Sequence, residues 1–416
     1  MSDFAPPRGM RDFYPEDMRL RNRIFDAWRQ AAVASGFEPY DACVVESLEL
    51  LQRKAGEEIV NQIYAFEDKS GRNLALRPEM TPTLARMVAA RQGALAFPLK
   101  WFALAQCFRY ERMTRGRKRE HYQLNLDIIA EDDVSAEAEV LYAAIDALRR
   151  MGVPDNVYKV RLSSRALLSE LLASLGIPTP SHAAVFIALD KKGKIPETEI
   201  EAILQNEGLD ADACKTAFDL MRISSLEDAA EIAGPDSPAI ARIHELLELL
   251  DVYGVREQIV FDISVVRGLA YYTGIVFEAF DTKGQFRAIF GGGRYDNLLS
   301  AIGGKPASAV GLGFGDVVIG EIIEALKLPD PTRIDCVAIG YMTPEDRLVA
   351  TRLTAKLRAE GRNVTLVLRP AKAKAFFSFA SAHASEAVYI GPDDRAAGSA
   401  KCKNLATREQ EDILLS

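Results

Sequence analysis

Residues 101–130 read WFALAQCFRYERMTRGRKREHYQLNLDIIA, two apolar runs joined by a cationic segment. Trp101 to Tyr110 and Gln123 to Ala130 have the character of strands. From Arg109 to Gln123 there are six cationic residues against two acidic ones, so the geometry is a hairpin with a long cationic loop. A solvated loop with nothing to bind is one reading. The other starts from Arg109, which closes the run WFALAQCF. An arginine there points from a rigid sheet toward whatever the loop encloses, and its planar fork matches phosphate geometry.

Outward from this hairpin, residues 1 to about 160 mix helical periods (Met18 to Ser35, Ser135 to Leu148) with strand-like runs, an α+β pattern. From about 165 to 253 short amphipathic helices take over: RALLSELLASLG, ETEIEAILQNEG, DACKTAFDLM and SPAIARIHELLELLDVYG. Strand signals resume with QIVFDIS, YYTGIVFEAF and FRAIFGGG, followed by a helix near Phe314 to Leu328. The β domain is therefore interrupted by a helical insert. After LPDPT the order is strand, helix, strand, helix, strand, the alternation of an open α/β sheet. The expected domains are 1–164 with 254–328, the insert 165–253, and a separate domain 331–416.

Two further clusters flank the hairpin. In LRPEMTP, residues 76–82, Glu79 and Thr81 either leave a strand on one face, an acceptor and a hydroxyl for an ammonium group, or cap a helix starting near Pro82. In VRGLAYYTG, residues 266–274, and FGGGRYD, residues 290–296, the glycines mark either a bulge or turn or the close approach of a ligand. No Walker or Rossmann phosphate loop occurs.

Composition excludes several classes. The 416 residues are 48% hydrophobic and 26% charged with a net charge of -8, an ordinary globular chain and not a general polyanion binder. Residues 331–416 carry a net +3 and the first 330 a net -11, so nucleic-acid contact is local. MSDFAPPRGM lacks a signal-peptide core and no long apolar span exists, which points to a cytoplasmic protein without membrane contact. Five cysteines at least 60 residues apart, and histidines only at 121, 182, 244 and 383, argue against a disulfide framework or a resident metal site.

In combination, PPRGMRDFYPED, LRPEMTPTLAR, FRYERMTRGRKREHYQLNLDIIA, VVRGLAYYTGIVFEAF and GGGRYDNLL resemble, in order, the motifs of histidyl-tRNA synthetases, class II aminoacyl-tRNA synthetases. YIGPDDRAAGSAKCKNLATREQ looks like the end of their anticodon-binding domain, so the resemblance covers essentially the whole chain. It implies a catalytic domain on a six-stranded antiparallel sheet with a helical insert, a C-terminal α/β anticodon-binding domain, and a homodimer. It also implies the reaction, ATP-dependent formation of histidyl-adenylate from L-histidine and transfer to the 3′ end of tRNA(His), with Mg2+ expected on the ATP phosphates. By the same resemblance Arg109 is the motif 2 arginine on the α-phosphate and substrate carboxylate, and Arg267 a second, distinctive arginine across that phosphate. Arg117 matches a γ-phosphate contact, and Glu111 with Gly291, Gly292 and Gly293 completes the expected ATP site. Glu79, Thr81 and Gln123, with Met80 between the first two, match the α-amino pocket. Asp127 with Tyr272 matches the imidazole readers, and Tyr271 and Tyr295 further pocket residues.

The chain departs from the family pattern at three positions. Val318 stands where the motif 3 arginine aligns, Cys43 where motif 1 carries a proline, and Ala270 where RGLxYY carries an acidic residue. The loss at Val318 favours a rival reading, the regulatory subunit of ATP phosphoribosyltransferase, a relative that does not aminoacylate. The basic loop, Arg267 and the full C-terminal domain favour the synthetase.

Overall fold

The hairpin run forms two ten-residue strands, Leu99–Phe108 and Glu120–Ile129. They pair antiparallel from Leu99↔Ile129 to Phe108↔Glu120, which puts the cationic loop at the tip. The computed structural model describes residues 4–53, 62–191, 195–220, 222–223, 225–265, 272–329 and 335–415. The chain divides into two units, Met1–Leu328 and Pro329–Ser416.

Strands of the first unit are β1 (Glu38–Pro39), β2 (Val45–Ser47), β3 (Tyr64–Glu67), β4 (Asn73–Leu76), β5 (Leu99–Phe108), β6 (Glu120–Ile129), β7 (Tyr158–Ser164), β8 (Ile259–Phe261), β9 (Ile275–Asp281), β10 (Phe290–Arg294) and β11 (Ala309–Gly315). β2, β4 and β3 form a small sheet of their own, and the rest form one sheet in the order β1-β5-β6-β11-β10-β9-β7-β8. Its six central strands are antiparallel throughout. Beyond the six strands expected, a short parallel strand extends each edge, β1 on β5 and β8 on β7.

Because side chains alternate along a strand, this sheet has two unlike faces. On one face Phe102, Leu124, Leu126, Ile128, Phe277, Phe290, Leu312 and Phe314 enter the main core. The helix Pro15–Ala34 covers it with Ile24, Ala27, Trp28, Ala31 and Ala32, the spacing of a single apolar stripe. Helix Ser135–Arg150 adds Val140, Leu141, Ala144 and Leu148 to the same core. Gln123 and Asp127, at the intervening positions of β6, fall on the opposite face, and that face carries the site.

Between β7 and β8 lie the helices Arg165–Ser174, Thr179–Asp190, Glu197–Asn206, Ala211–Leu220, Leu226–Ala233 and Pro238–Val252. Parallel neighbours need a crossover connection rather than a tight turn, which makes this the place where a long insert fits. The hydroxyls of Ser164, Ser225 and Ser237 accept from the N–H groups of Leu167, Asp228 and Ile240 and fix three helix starts. Thr179–Asp190 does not show in the sequence as an amphipathic period because TPSHAAVFIALD has no clean polar face. The helix expected from Phe314 starts at Asp316 and ends at Ala325, and Phe314 instead lies in β11, fully buried. An apolar strand running directly into an apolar helix leaves no polar break to read.

In the second unit β12 (Cys336–Tyr341), β13 (Asn363–Leu366), β14 (Glu386–Ile390), β15 (Ser399–Asn404) and β16 (Gln410–Leu414) form a sheet in the order β13-β12-β14-β15-β16. β13, β12 and β14 are parallel, and β15 and β16 extend the sheet antiparallel. Val337, Ile339 and Tyr341 pack with Leu353 and Leu357 of helix Arg347–Ala359. Cys336 and Ala338 face Phe376 and Ala380 of helix Ala373–His383, so the sheet is covered on both sides. The antiparallel pair at the end was not resolved by pattern, since SAKCKN and QEDIL alternate weakly and carry few apolar residues.

Candidate active site

Arg109 lies one residue past β5, and its N–H still donates to the Arg119 carbonyl at 2.9 Å, so the strand geometry persists through it. Its Nε donates to the Pro78 carbonyl at 2.9 Å, which aims the guanidinium along the loop preceding helix Thr81–Arg91. In the hairpin loop, Arg117 Nη1 lies 2.9 Å from Glu111 Oε2. Arg109, Glu111, Arg117, Gln123, Glu278 and Gly291 line a cleft of about 280 Å³, with Val317 and Val318 on an apolar wall. His121 also lines it, and burial, together with Arg109 and Arg11, lowers its pKa to about 3 and keeps the ring neutral.

The beginning of the chain is strapped to this hairpin. Arg119 N–H donates to the Gly9 carbonyl at 3.0 Å, Arg11 Nε to Glu120 Oε1 at 3.2 Å, and Arg11 Nη2 lies 2.9 Å from Asp316 Oδ2. Asp316 Oδ1 in turn accepts from Tyr122 N–H at 2.8 Å, joining β6 to the start of helix Asp316–Ala325.

Glu79 and Thr81 do not share an extended strand. β4 ends at Leu76 and Thr81 is already the first residue of helix Thr81–Arg91, so the chain turns between them. Nor does a side chain cap that helix; Pro82 in its first turn sets the backbone instead. Glu79 is half-buried, and loss of water raises its pKa against the opposing pull of Arg109. Met80 is fully buried among Ala103, Ala105 and Cys107, with Arg77 Nη1 3.4 Å from its sulfur, so its side chain belongs to the core and not to the cleft.

Gln123 and Asp127 lie flat across the sheet because β11 gives them room. A Cβ on Gly313 would come within 2.2 Å of Gln123 Nε2, and one on Gly311 within 2.1 Å of Asp127 Oδ1. Asp127 is buried, and the hydroxyl of Tyr295, also buried, donates to its Oδ1. Its Oδ2 is buried without a hydrogen-bond partner among the described residues. Burial raises the Asp127 pKa to about 7 against the effect of the Tyr295 hydrogen bond. The hydroxyl of Tyr295 is thus the donor that holds this carboxylate. Tyr272 packs against Gly293, and burial, then Glu79, Glu278 and Asp127, push its hydroxyl pKa upward, which places these groups within electrostatic reach of one another. Of the three glycines expected to line the ATP site, Gly291 borders the cleft beside Glu278, while Gly292 faces Leu312 on the opposite side of the sheet. Arg267 and Tyr271 lie outside the described residues.

Sequence reasoning missed Glu278, Arg287, Gly311 and Gly313. The glycines of VGLGFG alternate with apolar residues, and that spacing is the signal available for a flat strand with side chains laid across it. Arg294, adjacent to the triple glycine, serves the fold: its Nε and Nη2 donate to the buried Glu137 carboxylate at 2.7 and 2.6 Å. Among the described residues no three His, Cys, Asp or Glu side chains cluster as a metal site, all five cysteines are free, and no helix is long and apolar enough to cross a membrane.

Comparison with known proteins gives a consistent result over the chain. A family model described as Histidyl-tRNA synthetase matches residues 9–315. The histidine–tRNA ligase, chloroplastic/mitochondrial, of Arabidopsis thaliana is 45% identical over 100% of this chain and 86% of its own length. The histidine–tRNA ligase of Opitutus terrae is 39% identical over 99% of this chain and 96% of its own. The crystal structure of histidyl-tRNA synthetase from a Nostoc species has the same fold, with a TM-score of 0.82 at 23% identity over 100% of this chain and 97% of that one.

Proposed function

The chain belongs to the histidyl-tRNA synthetase family, and on that premise we propose that it is a histidine–tRNA ligase, activating L-histidine with ATP and passing the histidyl group to the 3′ end of tRNA(His). One observation carries the reading: a phosphate-matching guanidinium, Arg109, and a buried carboxylate with an oxygen unsatisfied among the described residues, Asp127, occupy the same face of one sheet. Neutral imidazole has one donor and one acceptor nitrogen. Its N–H donates to Asp127 Oδ2, and the Tyr272 hydroxyl donates to the other nitrogen. Each polar contact counts twice, since an amino acid lacking the ring leaves a buried acceptor unpaired.

The substrate ammonium is held by Glu79 with Thr81 and Gln123. Its carboxylate stays free to attack the α-phosphorus of ATP, forming the new P–O bond as pyrophosphate leaves. Arg109, fixed by Pro78, is aligned before the step and so stabilises the charge gathering on the α-phosphate without reorganising. Arg117, held by Glu111, reaches the γ-phosphate, and the resemblance to the family assigns Arg267 to the other side of the α-phosphate and Tyr271 to the pocket. Among the described residues, Glu111 and Glu278 are the carboxylates lining the cleft, and they suit Mg2+, which takes one or two carboxylates beside phosphate and water oxygens. When bound, the ion neutralises phosphate charge. The enzyme acts in the cytoplasm as a homodimer, the second unit meeting the anticodon stem-loop and the hairpin loop the acceptor end. The relatives match through the second unit as well, which favours the ligase over a regulatory paralogue.

The test is ATP–pyrophosphate exchange with each standard amino acid. Stimulation by histidine alone is expected. Equal stimulation by another amino acid, or none with histidine, would sink the reading.

A further inference from the structure

The cleft holds a cation that the motifs leave unassigned. Arg287 comes from the connection between β9 and β10 and lines the cleft with Arg109, Arg117 and Lys118. Its stem is fixed at a defined point. A Cβ on Gly116, at the tip of the hairpin loop, would lie 3.3 Å from Val318 Cγ2 and 3.4 Å from Arg287 Cδ, so these two side chains meet at one place. Arg287 Nη2 donates to Thr114 Oγ1 at 3.3 Å, and the neighbouring Phe286 ring lies under the Arg115 guanidinium at 4.6 Å. From the other side Glu321 accepts Gly116 N–H at 3.0 Å. The loop is therefore clamped between helix Asp316–Ala325 and the β9–β10 connection, and Arg287 is the cation delivered by that connection to the mouth of the cleft.

Val318, with Val317, makes this wall apolar. A bound triphosphate needs positive charge at the outer end as well as at Arg109, because its charge is spread over three phosphates. We propose that Arg287 is a nucleotide-binding residue of this protein: it reaches into the cleft from β9–β10 and supplies, beside Val318 and together with Arg117, a second guanidinium that grips the outer phosphates of ATP. The proposal rests on the ATP reading of this cleft. It makes the contact a property of a turn rather than of the helix that carries Val318.

The test measures binding of a non-hydrolysable ATP analogue to the full-length protein by calorimetry, and KM values by exchange, for wild type, Arg287→Ala, Arg287→Lys, Thr114→Val and Arg287→Ala with Val318→Arg, each with a melting curve. Arg287→Ala is expected to weaken ATP by about 10- to 100-fold, the loss of one charge-assisted contact, with the KM for histidine unchanged. Lysine should restore part, since it keeps the charge without the fork, and arginine at 318 should restore part by placing a guanidinium at the same point. An ATP affinity within twofold of wild type in Arg287→Ala overturns the proposal. So does an equal loss in Thr114→Val, which would make Arg287 a tie for the loop. Wild type that binds the analogue but shows no histidine-dependent exchange defeats the ligase reading while the variants still judge Arg287; wild type that does not bind it defeats both.

Discussion

A carboxyl group buried in the middle of a sheet face is a cost to the empty fold until a donor arrives. Asp127 has one donor, Tyr295, and one oxygen left without a partner among the described residues. Its folded pKa of about 7 lies above the ordinary 3.8, so the folded state binds the proton more tightly than the unfolded chain. The sign follows: the stability this group contributes is complete below about pH 3.8 and is lost as pH rises through about 7. Asp127→Asn should therefore flatten the fall in melting temperature of the ligand-free protein between those values, read from melting curves on both proteins. The same substitution should raise the KM for histidine by about 10- to 100-fold, the scale of one unpaired buried group, with the KM for ATP unmoved. An unchanged melting profile would show the carboxyl to be ordinary. Asp127 could be picked from the sequence through its family motif, but its partner could not. That Tyr295 is the donor depends on how two strands distant in sequence, β6 and β10, are placed by β11 between them.

At the level of elements, β11 is the quiet part of the site. It touches no substrate group in the proposal, yet the side chains of its neighbour β6 lie where its own would be. Gly311→Ala would drive a methyl into Asp127 Oδ1, which is boxed in by Tyr295 and cannot move aside. The expected cost is about 1–3 kcal/mol of stability, together with a loss of histidine affinity larger than any loss of ATP affinity. Gly315→Ala, at the end of the same strand where an added Cβ would meet open space, serves as the control for the glycine-to-alanine change itself. Melting curves and separate KM values decide whether the glycine matters through the fold alone. The hairpin was legible because two apolar runs bracket a cationic loop. The floor was not, because a glycine says only that space is needed and the occupant comes from another strand. Arg287 was equally hidden, one of two cations in the turn DTKGQFR, with Val318 31 positions further on.

For the whole molecule, the proposed function divides the chemistry between the two units. All residues assigned to activation fall between Glu79 and Tyr295, inside the unit that ends at Leu328. The residues after 330 carry a net +3 on an otherwise acidic chain, with Arg369, Lys372 and Lys374 on one stretch. A chain ending at Leu328 should keep histidine-dependent exchange to within about several-fold while tRNA charging falls much further, and its tRNA binding should show a shallower salt dependence because fewer phosphates are neutralised. Parallel losses of exchange and charging, in a preparation shown by sedimentation to match the intact protein's oligomeric state, would instead make the second unit a support. The strand–helix alternation of that unit was readable because its buried strands are continuous apolar runs, whereas its polar closing strands were not. The first unit has a different dependence on its own beginning. Gly9 and Arg11 are bonded to the strand that follows the cationic loop. Anything attached ahead of residue 4 therefore hangs on the ATP side of the reaction. On the proposed division of labour, immobilising the protein by that end for a sensor chip or a pulling measurement should load the activation step, and immobilising it after Leu415 the tRNA step, so the point of attachment becomes a choice of which half-reaction the instrument perturbs.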